Sequence, residues 1–323
     1  MKKIKIILIV MLQLTLGLSS CASKDDLGES ELDITTPELT DLDVWIRDNY
    51  TFDYNIEVLY RWNENAVDRN RYLFPPTAEK VQPALAAIKK IWIDTYTEVG
   101  GEDFIKKIAP REVLLVGGIN LNPSGTITLG VAEGGKRITF FNTDLVDLKD
   151  KASLVRFVST MQHEYAHILN QTVPFDEEEF QAITPFNYTA QWFNESIEQA
   201  NELGYITDYA RANVSEDFAE MVNAMLSNSA DEYNAILTGI QDRVVAREVA
   251  AAVNSLPADA TPETIQAVTD AVTLTASNEA QIAINAIRTK EGLVAEYFKT
   301  NFDLDIYQLQ EIAARNTLEV LNN

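Results

Sequence analysis

The chain has 323 residues, with 26 Lys and Arg against 49 Asp and Glu, and its formal charge is −23. A surface this negative repels phosphate backbones and anionic lipid headgroups, so nucleic acid is excluded as a partner and the acidity favours solubility. Hydrophobic residues make up 46% of the chain, which is enough for the core of one large domain or two small ones.

The first 20 residues have the pattern of a secretory signal peptide. Lys2, Lys3 and Lys5 lie at its start, and residues 4–18 are apolar apart from three polar side chains. A run of this length is too short for a comfortable membrane span and is typical of a leader that is removed on export. Without these lysines the formal charge of the mature chain is 23 − 49 = −26.

A lipidation site follows the leader. Residues 18–21, Leu-Ser-Ser-Cys, resemble a bacterial lipobox, which implies cleavage before Cys21 and a lipid on its sulfur. Cys21 is the only cysteine, so it has no disulfide partner within its own chain. Residues 21–40 are polar and lack helical periodicity, and we interpret them as the lipidated cysteine followed by a flexible tether.

The orientation of the protein is indicated by the three residues Lys24-Asp25-Asp26. They resemble the surface-export signal of Bacteroidota lipoproteins. This resemblance implies an outer-membrane lipoprotein exposed on the cell surface. The alternative is a simple linker on a protein that faces the periplasm.

In the first half of the chain, the residue pattern predicts both helices and strands. Hydrophobic patterning favours a short helix, a half-buried strand, a longer helix and then three β-rich runs, the last two joined as a hairpin through residues 132–135. The predicted ranges are 42–48, 54–62, 78–96, 112–116, 126–131 and 137–141.

The second half predicts an almost wholly helical structure. Residues 152–171 are apolar nearly all round, which is typical of a helix inside a domain. The further predicted helices are 188–205, 215–227, 231–254, 262–275, 278–299 and 305–321. Strands followed by helices indicate an α+β fold with a small mixed or antiparallel sheet, in a single domain over 41–323 with a helical lobe from about residue 228.

The predicted buried helix contains the sequence His-Glu-Tyr-Ala-His at residues 163–167. Residues four apart on a helix project from nearly the same side, so His163 and His167 can bind one tetrahedral zinc. Glu164 can then reach a zinc-bound water as general base. These are the only two histidines in the chain. Without further histidines or cysteines in the mature domain, the third ligand has to be a carboxylate.

The segment 209–220, YARANVSEDFAE, resembles the motif YxRxNxxExFAE of the zinc-protease domain of anthrax lethal factor. The resemblance implies that Glu216 is the third zinc ligand, that Tyr209 stabilises the oxyanion, and that Glu220 accepts a hydrogen bond from a histidine ligand. Ser215 is a plausible N-cap for the helix that carries Glu216. Glu195, in an element similar to that of thermolysin-like enzymes, is the rival third ligand.

Together the lipobox and these two motifs resemble the zinc-binding metallopeptidase lipoproteins of Bacteroidota, also described as zinc metallohydrolases associated with substrate import. The resemblance implies a zincin-like, gluzincin-type fold, one Zn²⁺ and hydrolysis of peptide bonds in a peptide or protein substrate. It also implies an outer-membrane nutrient importer as partner. The alternative function is a non-catalytic lipoprotein that captures ligands for such an importer. An extended peptide could bind by adding to an edge strand, predicted at residues 126–131.

Overall fold

The computed structural model describes residues 38–63 and 65–323. The predicted signal peptide, Cys21 and the tether up to residue 37 lie outside this range. Asp41–Asn323 form one unit, and the separate helical lobe predicted from about residue 228 stays a prediction.

A four-stranded mixed sheet forms the first layer of this unit. Its order is β1 (Glu57–Leu59), β2 (Glu112–Leu115), β6 (Arg137–Phe140) and β5 (Gly130–Glu133). The first three strands are parallel, and β5 pairs antiparallel to β6 at the edge. The turn between β5 and β6 uses Gly134 and Gly135, whose φ angles of 55° and 69° are left-handed and suit glycine.

The predicted strand 126–131 is wrong in its extent, because the chain changes partners at Leu129. Ile127–Thr128 form β4, which pairs with β3 (Asn120–Leu121) in a separate two-stranded ribbon, whereas Gly130 opens β5 of the main sheet. The predicted strand 54–62 is likewise reduced to three residues, since Phe52–Tyr54 are still helical.

Helices pack around this sheet. The first half contains α1 (Asp41–Ile46), α2 (Phe52–Tyr54), α3 (Ala78–Ile88), α4 (Asp94–Gly100) and α5 (Glu102–Ile108). The second contains α6 (Lys151–Thr172), α7 (Glu177–Ile183), α8 (Ile197–Glu202), α9 (Val214–Leu226), α10 (Ala230–Asn254), α11 (Pro262–Phe302) and α12 (Ile306–Asn322). None of the described helices has an apolar stretch long enough to cross a bilayer.

The predicted helices differ from these in four places. The helix expected over 188–205 is mostly turns, with only α8 regular, started by a capping box of Ser196 and Gln199. The two helices predicted over 262–275 and 278–299 form one continuous helix, α11. No Gly or Pro lies between Pro262 and Gly292 to interrupt it. The short helices α5 and α7 were missed. The α+β class with a small mixed sheet and a helical C-terminal half is confirmed.

Candidate active site

Helix α6 presents the two histidines from the middle of the core. Asp150 caps its N-terminus by accepting from the backbone N–H of Ser153. The ring of Tyr165 points into the core and contacts Trp92 and Tyr96 at centroid distances of 5.1 and 5.0 Å. Because the opposite side of the helix is held this way, the imidazoles of His163 and His167 project together, with Nε2 atoms 3.1 Å apart.

Helix α9 brings Glu216 to the same point. The helix begins with Asn213 as N-cap, whose side chain accepts from the backbone N–H groups of Ser215 and Glu216. The prediction that Ser215 is the N-cap is therefore wrong, since Ser215 already lies in the first turn. Placed there, Glu216 directs Oε2 to 3.0 Å from His163 Nε2 and 3.1 Å from His167 Nε2.

These three atoms fit a tetrahedral zinc. Their separations of 3.0–3.1 Å are close to the roughly 3.3 Å expected between ligand atoms that are each about 2.0–2.1 Å from one zinc ion. With a proton on Nδ1 of His163, its Nε2 presents a lone pair to a carboxylate oxygen. Electron-rich atoms at such distances repel one another unless a cation or proton lies between them. The donor set therefore fits zinc. Within the described chain, His163, His167 and Glu216 form the group able to hold a metal ion.

Glu220 lies one turn after Glu216 and contacts His163 from the other side of the ring. Its Oε1 is 2.6 Å from His163 Nδ1 and also accepts from the Asn223 amide at 3.3 Å. Its Oε2 accepts from the Thr207 hydroxyl at 2.7 Å. A carboxylate fixed in this way orients the imidazole and makes it a better metal ligand.

The electrostatics of the cluster favour positive charge at its centre. Burial lowers the pKa of His163, but hydrogen bonds with Glu216 and Glu220 outweigh burial and raise that pKa to about 10. Burial raises the pKa of Glu216, yet the two histidines hold it well below its usual value. Without a cation, His163 therefore carries a proton on each ring nitrogen, one facing Glu216 and one facing Glu220. A divalent cation at Nε2 would take the place of the proton that faces Glu216.

Glu164 is held between α6 and the edge strand β5. Gly130 of that strand passes so close that a Cβ there would lie 2.4 Å from Thr160 Cγ2 and 3.1 Å from Glu164 Oε1. Burial raises the pKa of Glu164, and the two histidines and the backbone N–H of Ala132 lower it in part. A carboxylate with a raised pKa is suited to accept a proton and release it again.

Tyr209 lies over the cluster on a single 3₁₀ turn, Tyr209–Arg211. Its ring stacks on His163 at 5.7 Å and meets the indole of Trp192 edge-on at 4.8 Å. Burial and the nearby Glu216 raise the pKa of Tyr209 far above its usual value, so the hydroxyl keeps its proton. A protonated phenol at this place can donate a hydrogen bond to a developing oxyanion.

Glu195, the rival third ligand, lies apart from this cluster. Its carboxylate forms an ion pair with Arg211, whose guanidinium also donates to the backbone oxygen of Asn187. Because Arg211 lies in the same 3₁₀ turn as Tyr209, this ion pair stabilises the turn. The structure therefore brings Glu216, and not Glu195, together with the two histidines.

The cluster opens into a cleft of about 410 Å³. One wall is the segment from Asn122 to Gly130, the floor is α6, and Trp192, Asp208 and Tyr209 form the opposite side. Its described lining contains carboxylates and no Lys or Arg side chain. An extended peptide can enter such a cleft, because one wall ends in an edge strand.

Sequence reasoning missed several residues that shape the site. Thr207 and Trp192 have no motif that marks them. Asp217, next to Glu216, pairs with Lys290 of α11 at 2.6 Å, and both side chains are fully buried. The position of Gly130 within a predicted strand was a weak indication of its role, since a glycine inside a strand often marks the close approach of another element.

The fold and the donor set are those of a zinc metallopeptidase, and the comparisons with known proteins point to the same class. The model of the family described as "Putative zinc-binding metallo-peptidase" matches residues 35–307, and the chain belongs to that family. A crystal structure of a "putative zinc-binding metallo-peptidase" from Bacteroides caccae ATCC 43185 has the same fold. It is 23% identical, with a TM-score of 0.59, and the alignment covers 88% of this chain and 97% of that one. No curated protein shows significant similarity to the chain.

Proposed function

We propose that this protein hydrolyses peptide bonds, with zinc held by His163, His167 and Glu216. The observation that carries the proposal is the meeting of these three donor atoms beside Glu164 at the floor of an open cleft. A metal site with a purely structural role has no need of a buried carboxylate next to it. Zinc bound here would act as a Lewis acid and lower the pKa of a water ligand.

In the proposed reaction Glu164 takes the proton of the attacking water and then passes it to the leaving amine. Its raised pKa suits the first step, because it makes the carboxylate a better base for the water proton, and the carboxylic acid that results can pass this proton to the amine. Tyr209 donates its hydroxyl to the oxyanion of the tetrahedral intermediate. Glu220 holds His163 in one tautomer throughout, and Thr207 holds Glu220.

We propose that the substrate lies along β5 as an additional antiparallel strand. This strand is hydrogen-bonded to β6 on one side and is the last strand of the sheet. Bulky, stiff substitutions at the exposed position Glu133 should then raise KM for longer peptides. Peptides with one N-methylated amide at successive positions test the same idea, and an unchanged KM throughout would contradict it.

The test of the function compares the chain from residue 22 onward with its Glu164→Gln variant. Metal content is measured for both, and both are incubated with a broad peptide library. We expect one zinc in each and cleavage only by the unaltered chain. Glu178→Gln, which alters an exposed acid shortly after the active-site helix, serves as the matched control and should cleave normally. Zinc in both and cleavage in neither would favour the ligand-capturing lipoprotein instead.

We also propose that a lipid on Cys21 holds the protein on the outer membrane, facing outwards, where it would serve a nutrient importer. The support is the lipobox and the Lys24-Asp25-Asp26 sequence that follows it. Labelled palmitate should enter the unaltered chain and not Cys21→Ala. Protease added to intact cells should remove the protein if it is surface-exposed, and should spare it if it faces the periplasm.

A further inference from the structure

A second, larger concavity of about 880 Å³ lies beside the catalytic cleft. We call it the apolar groove, and six large apolar side chains line it while remaining exposed: Tyr72, Phe74, Ile119, Leu121, Ile127 and Leu145. Tyr72 is 100% exposed, Leu145 66% and Leu121 56%. Apolar side chains gathered in one concave surface are typical of a binding site, whereas single exposed ones are ordinary.

The shape of the groove is set by close backbone packing and hydrogen bonds. A Cβ at Gly118 would lie 2.6 Å from Phe74 Cε1, so this glycine lets the Phe74 ring lie directly on the chain. The Arg71 guanidinium donates to the backbone oxygen of Leu121 and to Asn122 Oδ1, which ties the β3–β4 ribbon to the segment 70–74. The groove therefore keeps its form although its apolar side chains are exposed.

Both charged residues among the described lining of the groove, Arg71 and Asp144, already have hydrogen-bond partners. Arg71 is used by the contacts to Leu121 and Asn122 and by Asp68. Asp144 accepts from the backbone N–H and the hydroxyl of Thr77, at 2.8 and 3.2 Å. A surface whose charged groups already have hydrogen-bond partners and whose apolar groups are exposed fits an apolar ligand.

The groove adjoins the catalytic cleft. Asn122 and Ile127 line both, and the ribbon that carries them leads through Leu129 directly into Gly130 beside Glu164. A polypeptide lying along β5 advances about 3.3 Å per residue. A substrate that continues past the ribbon, a few residues from the reacting bond, thus enters the groove.

We propose that the apolar groove binds apolar side chains of the substrate polypeptide at positions remote from the scissile bond. This inference rests on the proposed peptidase function. It names the substrate class as extended polypeptides with large apolar residues on one side of the cleaved bond. Covering one Leu- or Phe-sized side chain should change affinity by about tenfold or more.

The test measures binding without turnover. In the Glu164→Gln background of the mature chain, fluorescence anisotropy follows a labelled twelve-residue peptide with Leu and Phe at alternate positions. A second peptide has Ser at the same positions. We expect Leu121→Ser and Leu145→Ser to raise Kd for the apolar peptide by about tenfold. Leu274→Ser, an equally exposed position on α11 outside the groove, is the matched control and should leave Kd unchanged.

The outcomes separate this inference from the proposed function. In the Glu164-intact chain, the groove variants should raise KM for long apolar peptides and leave KM for short ones unchanged. If the intact chain cleaves nothing but the groove variants still weaken binding, the peptidase proposal fails and the groove stands. If short peptides are cleaved and no groove variant changes Kd or KM for long ones, the groove inference is overturned.

Two other occupants would also overturn it. A groove that binds a second copy of the chain would show groove variants that change the oligomeric state in sedimentation. A groove covered by the N-terminal residues would bind the peptide only after residues 1–40 are removed. Either result assigns the surface to the protein itself and not to the substrate.

Discussion

Glu220 contacts His163 on the side of the ring opposite to Nε2, the nitrogen that faces Glu216 and His167, with Oε1 2.6 Å from Nδ1. Thr207 and Asn223 hold this carboxylate in turn, at 2.7 and 3.3 Å. The orientation of His163 is therefore fixed by residues from two separate segments.

Substitution of this carboxylate should weaken metal binding. We expect Glu220→Ala to lower zinc affinity by about 10- to 100-fold, because His163 loses the acceptor that fixes its tautomer. Competition with a coloured chelator measures the change. Asn223→Ala removes the weaker contact to Glu220 and the acceptor of the Ser227 hydroxyl, and it should have a much smaller effect on zinc affinity. Equal affinity in Glu220→Ala and the unaltered chain would refute the role of Glu220.

Thermal unfolding distinguishes the two candidate third ligands, Glu216 and Glu195. Zinc that binds only the folded state raises stability by about 2.7 kcal/mol at 100 times its Kd. Glu216→Gln should lose most of this zinc-dependent rise in Tm, whereas Glu195→Gln should keep it, because Glu195 pairs with Arg211 instead. A chelator should abolish the rise in the unaltered chain. Loss of the rise in Glu195→Gln alone would reverse the assignment.

Gly130 is predicted to be essential for the position of Glu164. In Gly130→Ala the new Cβ would lie 2.4 Å from Thr160 Cγ2 and 3.1 Å from Glu164 Cγ, so one of these groups has to move. We expect kcat to fall at least about tenfold, since small displacements of a catalytic group are costly, while zinc content is retained. Thr160→Ser removes Cγ2 and should restore part of the activity of Gly130→Ala.

A matched glycine provides the control for that experiment. A Cβ at Gly292, inside α11, meets no atom within 4 Å. Gly292→Ala should therefore keep full activity and stabilise the fold by about 0.5–1 kcal/mol, as expected for alanine in a helix. A similar loss of activity in both variants would show that the effect of Gly130 is not local.

The buried pair Lys290–Asp217 should be costly to break. Lys290 Nζ lies 2.6 Å from Asp217 Oδ2, 3.0 Å from the backbone oxygen of Gly204, and over the Tyr205 ring at 3.9 Å. Lys290→Met should destabilise the fold by about 3–5 kcal/mol, because it leaves a buried carboxylate without its cation. Urea unfolding measures the loss.

Two further variants make that prediction specific. Lys290→Met combined with Asp217→Asn should recover much of the stability, because no unpaired charge remains. Lys299→Met removes an exposed lysine paired with Asp303, the residue that follows the end of α11, and should barely shift the midpoint. A double variant as unstable as Lys290→Met would argue that packing, and not charge, matters at this place.

Asp208 should make stability depend on pH. Burial raises its pKa, as do Glu220 and Glu198, although the backbone N–H of Tyr209 opposes them. A carboxyl with a raised folded-state pKa favours folding while protonated, and that benefit is lost as pH rises through the folded-state pKa. In metal-free protein Asp208→Asn should therefore have the higher Tm at pH 7, with a gap that closes towards pH 4. A gap independent of pH would contradict this.

The sequence alone determined the parts of the site that depend on local spacing. His163 and His167 are four residues apart on a helix whose hydrophobic pattern is continuous, so their convergence follows from helix geometry. Glu216 and Glu220 were predicted from the resemblance of segment 209–220 to the lethal factor motif, which is also a local pattern. The long helices α6, α9, α10 and α12 were predicted for the same reason, because apolar periodicity reports directly on burial.

The tertiary structure decided what depends on residues distant in the chain. The change of partner at Leu129, the close approach of Gly130 to Glu164 and the pairing of Lys290 with Asp217 each join separate elements. Even the choice of Asn213 over Ser215 as N-cap required the backbone direction at the start of α9. Local patterns specify which face of an element is buried, whereas only the folded chain specifies what that face meets.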